Sequence, residues 1–268
     1  MKVVLSRKGF DSGYGGNPSP VYPDGTMLSM PIPSKDDFVR FDEISYKGKS
    51  YLEIWNEINP KHKICNNCHL DPDIRKNIRE VPDNWKPTFG QIGAAQGHLN
   101  NKHVETGDIF LFFGYFQETE IFDDRLRFKP GTYGKHMLYG YLQIGKILFG
   151  DAVKSCIWHP HSSYTSTNNT IYVASDKLVV DAKETNLPGA GTFKYSKELV
   201  LTKDGMSRTK WTLPDCLENA QISYHSAKSH KDGYFQSVAR GQEFVVSEDD
   251  NVTKWVSNLI ANNIDYEE

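Results

Sequence analysis

The sequence is poor in cysteine, with Cys65, Cys68, Cys156 and Cys216 as the only four in 268 residues. Four cysteines are too few for a disulfide framework at this length, so we expect free thiols or metal ligands in a reducing compartment. No run approaches the roughly 20 apolar residues that a membrane span requires, and the first residues lack the apolar core of a signal peptide. These absences predict a cytoplasmic protein.

Excess positive charge is also missing, because the formal net charge is −3 at pH 7. Sequence-independent binding to duplex DNA depends on many Lys and Arg contacts to phosphates, so the composition argues against it while leaving room for a local basic pocket. The chain also lacks the spacing of a P-loop, of a dinucleotide-binding fingerprint and of a G-x-S-x-G elbow. Its hydrophobic content of 38% predicts one compact unit over residues 1–268.

Continuous apolar and aromatic runs predict a chain rich in strands. Asp108–Phe116 is typical of a central strand covered on both faces, and Arg125–Phe128 is expected to pair with it. His136–Phe149 predicts a second long strand bent at its glycines. Thr170–Ala174 and Lys177–Val180 are expected to form a hairpin. This pattern predicts an α+β fold on a curved, mostly antiparallel sheet or partly open barrel, with a few packed helices.

Two segments have the pattern of a helix. Thr253–Ala261 has apolar residues at helical spacing with a polar opposite face. Phe89–Leu99 has small residues at close spacing and would place Gln91 and His98 on one face, because they are seven apart. His98 could then serve as a general acid or base, and Gln91 and Gln96 could read the edge of a nucleobase. The alternative is a helix with ordinary surface polar groups.

Charged residues and several glycines follow the first apolar run, in the segment SRKGFDSGYGGNPSP. A glycine-rich turn lets backbone N–H groups approach a ligand that any Cβ would block. Arg7 and Lys8 could hold an anion there, with Gly15 and Gly16 in a nest of amides around a phosphate. Asp11 could bind a hydroxyl or a metal, or transfer a proton. The alternative is a tight turn stabilised by an internal Arg–Asp pair.

Asp71 and Asp73 flank a proline in the segment CHLDPDI. Because Pro72 stiffens the backbone, both carboxylates could face one pocket and bind a hard cation or share a proton. The alternative is a helix start, in which Asp71 caps, Pro72 takes the first helical position and Asp73 complements the helix dipole. The two interpretations are compatible with each other.

A short stretch just before these carboxylates holds four possible metal ligands, His62, Cys65, Cys68 and His69. A single C-x-x-C without a distant second pair does not have the usual spacing of a zinc site. Zinc at this position would be structural and would tie down the loop that presents Asp71. The sequence therefore leaves the metal content open and indicates no cofactor.

Polar residues also stand beside the last predicted strand, Glu243–Val246. Glu243 enters the strand as a candidate catalytic carboxylate, Arg240 could neutralise a phosphate, and Gln242 could orient a base or a water. The alternative is an ion pair on an edge strand. His159 and His161 rank lower, because isolated histidines more often serve the structure or solvent than catalysis.

Five segments of the chain can be compared as a set: SRKGFDSGYGGNPSP, CHLDPDI, FGQIGAAQGHL with VETGDIFLFFGYF, HMLYGYLQIG and SVARGQEFVV. Together they resemble the bacterial and phage family called nucleotide modification associated domain 3, over almost the whole chain. The resemblance implies a nucleotide-like ligand and names no reaction. GDIFLFFGYF with HMLYGYLQIGKIL is also similar to small barrels of the PUA and ASCH type, as an analogy of fold alone.

The sequence thus predicts a pocket that binds a nucleotide, or one unpaired nucleotide of a nucleic acid, and modifies its base or glycosidic link. The setting implied by the resemblance is phage or bacterial DNA modification or defence, and a transferase or a glycosidase would fit. Guanidinium groups would hold the phosphate, amides would read the base, and carboxylates would transfer a proton or stabilise a cationic sugar. The residues assigned to these roles are Arg7 and Arg240, Gln91 and Gln242, and Asp11, Asp71 and Glu243. Alternatives are a non-catalytic module for a modified base or nucleotide signal, and a structural subunit with a large exposed apolar patch.

Overall fold

Strands dominate the computed structural model, which describes residues 1–11, 13–239 and 241–266. The strands in these ranges are β1 (Val3–Arg7), β2 (Ser19–Val21), β3 (Ile32–Pro33), β4 (Val39–Arg40), β5 (Ser45–Tyr46), β6 (Lys49–Ser50), β7 (Asn67–His69), β8 (Thr88–Gln91), β9 (Ile109–Phe122), β10 (Arg125–Phe128), β11 (Lys135–Phe149), β12 (Thr170–Ala174), β13 (Lys177–Val180), β14 (Lys183–Pro188), β15 (Ala190–Thr192), β16 (Lys210–Trp211), β17 (His230–Lys231), β18 (Tyr234–Gln236) and β19 (Glu243–Val246).

Helices are few by comparison. The α-helices in the described ranges are α1 (Tyr51–Ile58), α2 (Gly93–Asn101), α3 (Asp215–Glu218) and α4 (Asp250–Asn263). Single 3₁₀ turns occur at Lys76–Ile78, Gly150–Ser155, Pro160–Ser163, Lys197–Leu199 and Ala227–Ser229. No helix in the described part of the chain is long and apolar enough to cross a membrane.

The largest sheet follows the order β19-β1-β9-β11-β12-β8, with β2 and β10 also paired to β9 and β15 paired to β11. Its pairings are antiparallel except for β1 and β2, which each run parallel to β9. The hydrogen-bonded path ends at β19 and β8, so the sheet is open and is not a closed barrel. The predicted α+β class with a mostly antiparallel sheet is confirmed.

This sheet is curved enough for side chains of its two terminal strands to touch. Gln91 of β8 donates a hydrogen bond from Nε2 to Oε1 of Glu243 on β19, at 2.7 Å. Lys8, the residue after β1, reaches the same carboxylate oxygen at 2.9 Å. The curvature therefore brings the end of β8, the start of β19 and the loop after β1 to one place.

The two long central strands form where the sequence predicted them. The β9 residues from Ile109 to Phe113 are fully buried, so both faces of the strand are covered. β10 pairs with β9, as expected. The register of β11 shifts against β9 between Leu138 and Gly140, and against β12 between Ile144 and Lys146, where Gly145 lies. A Cβ on Gly145 would lie 2.6 Å from the Cα of Ser175, so this bend requires glycine.

Two local predictions were wrong. The helix expected over Phe89–Leu99 begins only at Gly93, because Thr88–Gln91 pairs with β12 as a strand. Gln91 and His98 therefore do not share a helix face. The hairpin expected between β12 and β13 is absent from the described residues, since β12 lies between β11 and β8 and β13 pairs with β14.

A second layer packs beside the main sheet and positions the site. Its helix α1 begins with a capping box in which Ser50 accepts from the backbone of Glu53 and Glu53 accepts from the backbone of Ser50. The buried face of α1 joins an apolar cluster with Leu28, Phe41 and Cys68. Cys68 belongs to the small sheet β3-β7-β4. The last residue of β7, His69, is thereby held at the edge of this second core.

Candidate functional site

A cavity of about 350 Å³ opens where the loop after β1 and the end of β8 meet the small sheet β3-β7-β4. Its walls combine cationic, amide, imidazole and carboxylate groups with a few apolar side chains. The lining residues are Arg7, Lys8, Tyr14, Ile32, Pro33, Ser34, Asp37, His69, Asp71, Gln91, Ile92, His161, Tyr164 and Gln242. Five residues that the sequence assigned to the pocket, Arg7, Lys8, Asp71, Gln91 and Gln242, thus lie together.

One wall of the cavity is built on a buried ion pair. Lys8 Nζ lies 2.9 Å from Glu243 Oε1 and 4.4 Å from the ring centroid of Phe89. The side chains of Lys8 and Glu243 are only 7% and 1% exposed. Gln91 donates to the same Oε1, while Oε2 of Glu243 has no hydrogen-bond partner among the described residues. Glu243 therefore sits behind the wall and fixes two groups that line the cavity.

Arg7 and Gln242 complete this wall. Arg7 donates from Nη1 to the carbonyl of Ala239 at 3.0 Å, and its backbone N–H donates to the carbonyl of Gln242. Burial lowers the pKa of Arg7, with Asp11 acting in the opposite direction. Gln242 is exposed, and its Oε1 lies 3.3 Å from Nε2 of Gln91. The wall therefore offers a guanidinium and two amide groups side by side.

The opposite wall carries a cluster of imidazole and carboxylate groups. His69, Asp71 and His161 each offer one nitrogen or oxygen atom, and these atoms all lie within 4.8 Å of one another. His69 Nε2 is 3.8 Å from Asp71 Oδ2, and His69 Nδ1 is 3.0 Å from Asp37 Oδ2. The other oxygen of Asp71 accepts from the backbone of Gly90 at 2.8 Å and faces His159 Nε2 at 3.1 Å. His69 and Asp71 are thus each fixed by hydrogen bonds to groups outside the cluster.

Burial and charge set the protonation of this cluster. Burial alone would lower the pKa of His69, but the hydrogen bond to Asp37 and the nearby carboxylate of Asp71 outweigh it and raise that pKa to about 9. Burial would raise the pKa of Asp71, but the hydrogen bond from His159 and the nearby ring of His69 hold it well below its usual range. Burial lowers the pKa of His161 to about 4. At neutral pH, with no metal bound, the cluster therefore contains a protonated His69, an ionised Asp71 and a neutral His161.

Two local features of the backbone determine the geometry of this cluster. The backbone N–H of Asp71 donates to the carbonyl of His69 at 3.0 Å, and this γ-turn at Leu70 keeps the two residues close together. Gly90 on β8 allows the imidazoles to pack closely, since a Cβ there would lie 2.4 Å from Cγ of His161 and 2.8 Å from Cε1 of His159. Glycine at position 90 is therefore a condition for the geometry of the cluster.

The glycine-rich loop contributes shape more than charge. Asp11 Oδ1 accepts from the backbone N–H groups of Gly13 and Tyr14, which makes it the cap of a tight turn. Gly15 and Gly16 both have positive φ, at 77° and 73°. Asp11, Gly15 and Gly16 do not line the cavity, whereas Tyr14 between them does. The loop thus carries an aromatic ring to the cavity.

Asp73 and the residues of α2 lie elsewhere. Asp73 is 1% exposed and accepts from Arg79 and Trp85, and it lines a neighbouring small cavity that Asp71 also borders. Neither Asp71 nor Asp73 starts a helix, so the helix-start interpretation was wrong. Gln96 is buried against the hydroxyl of Tyr172 at 2.9 Å.

His98 belongs to a different cavity of about 850 Å³, which its ring lines together with Tyr224 and Ser223. Its Nε2 lies 2.9 Å from Ser223 Oγ, and burial lowers its pKa. The two cavities do not share a residue. His98 is therefore outside the site built around His69 and Asp71, and Arg240 falls outside the residues that the structure describes.

The four possible metal ligands of the loop are not brought together. The ring of His62 packs edge-on against Trp55, Cys65 Sγ donates to the carbonyl of Asn67, and burial raises the pKa of Cys68. Among the described residues, the group of ligand atoms close enough to hold one metal ion includes only His69 of the four.

Sequence reasoning missed much of the second wall. Asp37 lies between β3 and β4, and Tyr164 stacks on His69 with a centroid distance of 6.0 Å and donates to Asp37 Oδ1. His159 and His161, which the sequence ranked low, belong to the cluster. The signal that would have found them is H-P-H at residues 159–161, which has the same i, i+2 spacing as His69 and Asp71.

Comparison with known proteins gives one finding. A family model described as nucleotide modification associated domain 3 matches residues 2–247 of the 268-residue chain. No curated protein and no solved structure matches.

Proposed function

The chain belongs to the nucleotide modification associated domain 3 family, and from this premise we propose that the 350 Å³ cavity binds one nucleotide and is where its base or glycosidic link is modified. The nucleotide is free or is an unpaired nucleotide of a nucleic acid. The observation that carries the proposal is the convergence, in one cavity, of a cationic and amide wall with an imidazole and carboxylate cluster. We take residues 1–268 as one domain serving this site in a bacterial or phage modification or defence system.

Size and charge support one nucleotide as the ligand. The cavity volume of about 350 Å³ is at the low end of the roughly 300–1,000 Å³ typical of small-molecule pockets. Lys8 is paired with Glu243, whereas the guanidinium of Arg7 donates to the backbone carbonyl of Ala239. A guanidinium binds phosphate through two parallel hydrogen bonds, so Arg7 is the better anchor for a phosphate.

The amide groups and aromatic rings fit a base. Gln91 donates to Oε1 of Gln242 and so orients it, and the exposed amide of Gln242 suits the edge of a nucleobase. Tyr14 and Tyr164 line the cavity with rings on which a base can stack. A nucleotide with its phosphate at Arg7 would place its base or sugar toward the cluster of His69, Asp71 and His161.

Asp71 is the carboxylate best placed for the chemistry. Of the three carboxylates considered, it alone lines the cavity, because Asp11 caps a turn and Glu243 is enclosed behind Lys8 and Gln91. Asp71 stays ionised at neutral pH because its pKa is lowered, so it is suited to stabilise a positive charge on a sugar or to bind a cation.

The test is calorimetric titration of the purified chain with the four 2′-deoxynucleoside 5′-monophosphates and a short single-stranded oligonucleotide. Arg7→Leu and Gln242→Ala should raise Kd by about tenfold or more, because each removes a hydrogen bond that involves a charged or base-reading group. Arg125→Leu and Gln221→Ala serve as matched controls, since both side chains are exposed and outside the cavity.

Mass spectrometry of the tightest ligand after incubation then tests modification. If the ligand binds and remains unchanged, the chain is a non-catalytic binding module and not an enzyme, which is the alternative raised from the sequence. Failure of every nucleotide to bind, or an equal loss of binding in the control variants, would overturn the assignment of this cavity.

A further inference from the structure

We propose that His69, Asp71 and His161 bind a divalent first-row transition metal ion at the wall of the cavity. The inference goes beyond the proposed function, because metal binding by these residues does not depend on which nucleotide, if any, occupies the rest of the cavity. It rests on three features of the cluster: the spacing of the ligand atoms, the groups that orient them, and the side that is left open.

The spacing of the ligand atoms fits a metal after a small movement. His69 Nε2 and Asp71 Oδ2 are 3.8 Å apart, and the three ligand atoms lie within 4.8 Å of one another. Bonds of about 2.1 Å at angles of 90–110° place two ligand atoms about 3.0–3.4 Å apart. The distances between the ligand atoms must therefore shorten by about 1 Å. His69 has room to move, because it is 19% exposed at the end of β7.

Each ligand is oriented by a second group, as metal ligands in proteins usually are. His69 uses Nδ1 toward Asp37 at 3.0 Å, and His161 uses Nδ1 toward Asn169 Oδ1 at 2.7 Å. In both rings Nδ1 is then the donor, so Nε2 is the atom available to the cation, which takes the place of the proton that Nε2 of His69 carries at neutral pH. Asp71 commits Oδ1 to the backbone of Gly90, as described above, and keeps Oδ2 toward His69.

The ligand types and the open side define the class of ion. Two imidazole nitrogens and one carboxylate oxygen favour first-row transition metals over Mg²⁺ or Ca²⁺, which prefer oxygen ligands throughout. Three protein ligands leave further coordination positions, and His69, Asp71 and His161 all line the cavity. The remaining positions thus face the space proposed for the nucleotide, as in catalytic rather than structural metal sites. A metal held there would polarise a bound group or activate a water molecule.

The experiment uses the full chain after dialysis against a chelator, titrated with Co²⁺ and followed by its visible absorption, with Zn²⁺ as competitor. We expect one Co²⁺ per chain, displaced by Zn²⁺. His69→Gln and His161→Gln should weaken Co²⁺ binding by about 100-fold or more, since loss of an orienting group alone typically costs 10–100-fold. His62→Gln is the matched control, because His62 is exposed and lies outside the cluster.

Two further variants keep the outcome decisive. Asp37→Asn leaves all three ligands in place and should weaken Co²⁺ binding by about 10–100-fold, the effect of losing an orienting group. Arg7→Leu should impair nucleotide binding and leave Co²⁺ binding unchanged, so failure of one proposal is distinguishable from failure of the other. Absence of stoichiometric Co²⁺ and Zn²⁺ binding by the folded wild-type chain would overturn the inference. So would Co²⁺ binding of wild-type affinity in folded His69→Gln or His161→Gln, or an equal loss in His62→Gln.

Discussion

The buried pair of Lys8 and Glu243 gives the sharpest prediction for stability. At the observed separation of 2.9 Å, two unit charges attract by about 6 kcal/mol for an effective dielectric constant near 20. Lys8→Met leaves the carboxylate buried and unpaired, with Oε2 already lacking a partner, so we expect a loss of about 3–5 kcal/mol in the free energy of unfolding. Glu243→Gln should cost less, about 1–3 kcal/mol, because it removes the charge and keeps an oxygen that can accept from Lys8 and Gln91.

The assay is urea unfolding followed by tryptophan fluorescence, with the slope against urea compared between variants. The double variant Lys8→Met with Glu243→Gln should lose less than the sum of the single losses, by about 2–4 kcal/mol of coupling, because no unpaired charge remains. Lys86→Met is the matched control. Its pair with Asp176 has side chains 50% and 81% exposed, so its loss should stay below about 1 kcal/mol.

Two results would refute this reasoning. If Lys8→Met costs no more than Lys86→Met, or if the coupling with Glu243→Gln is zero, the pair does not hold this wall of the cavity. If Glu243→Gln abolishes nucleotide modification while the free energy of unfolding is unchanged, the carboxylate acts in the reaction and the placement argued above is wrong. The prediction therefore separates a supporting role of Glu243 from a catalytic one.

Three further predictions concern local features. Burial, with two neighbouring arginine charges, lowers the pKa of His136 to about 3, so below pH 6.5 the unfolded chain binds a proton that the folded chain does not. Because of this residue, the free energy of unfolding should fall by about 2 kcal/mol between pH 7 and pH 5. His136→Asn keeps an acceptor for Trp211, and its free energy of unfolding, measured with urea, should fall less over that range. Gly90→Ala drives a Cβ into the ring of His161; it should lower the free energy of unfolding by about 1–3 kcal/mol and weaken Co²⁺ binding, and wild-type values of both would contradict the packing described. Ser50→Ala removes the cap of α1 and should cost about 1 kcal/mol, seen in calorimetry as a Tm lower by about 2–4 °C, whereas an unchanged Tm would show that the capping box contributes nothing.

The strands could be predicted where local sequence decides them. β9 and β11 are long apolar runs, and β19 begins and ends at the residues predicted, Glu243 and Val246. The segment around Gln91 could not be predicted in this way, because its small residues suit a helix and its strand pairing is with β12, about 80 residues away. A distant partner overrides local propensity there.

The sequence predicted the residue types of the candidate site, but only some of the individual residues that line the cavity. Charged or amide residues beside turns and strand ends identified Arg7, Asp71 and Gln242, all of which line the cavity. The same reasoning selected His98, which lines another cavity. What decides membership is contact between residues far apart in the chain, such as the 235 positions that separate Lys8 from Glu243, and no local pattern encodes such a contact.

The meeting of β8 and β19 has a mechanical consequence. Neighbouring strands along the sheet path are joined by ladders of main-chain hydrogen bonds, whereas β8 meets the start of β19 through side-chain bonds from Gln91 to Glu243 and Gln242. Separating β8 from β19 therefore breaks few hydrogen bonds and leaves the main-chain ladders of the sheet intact. A molecule that binds Lys8 and Gln91 together would therefore add a link between the two ends of the sheet.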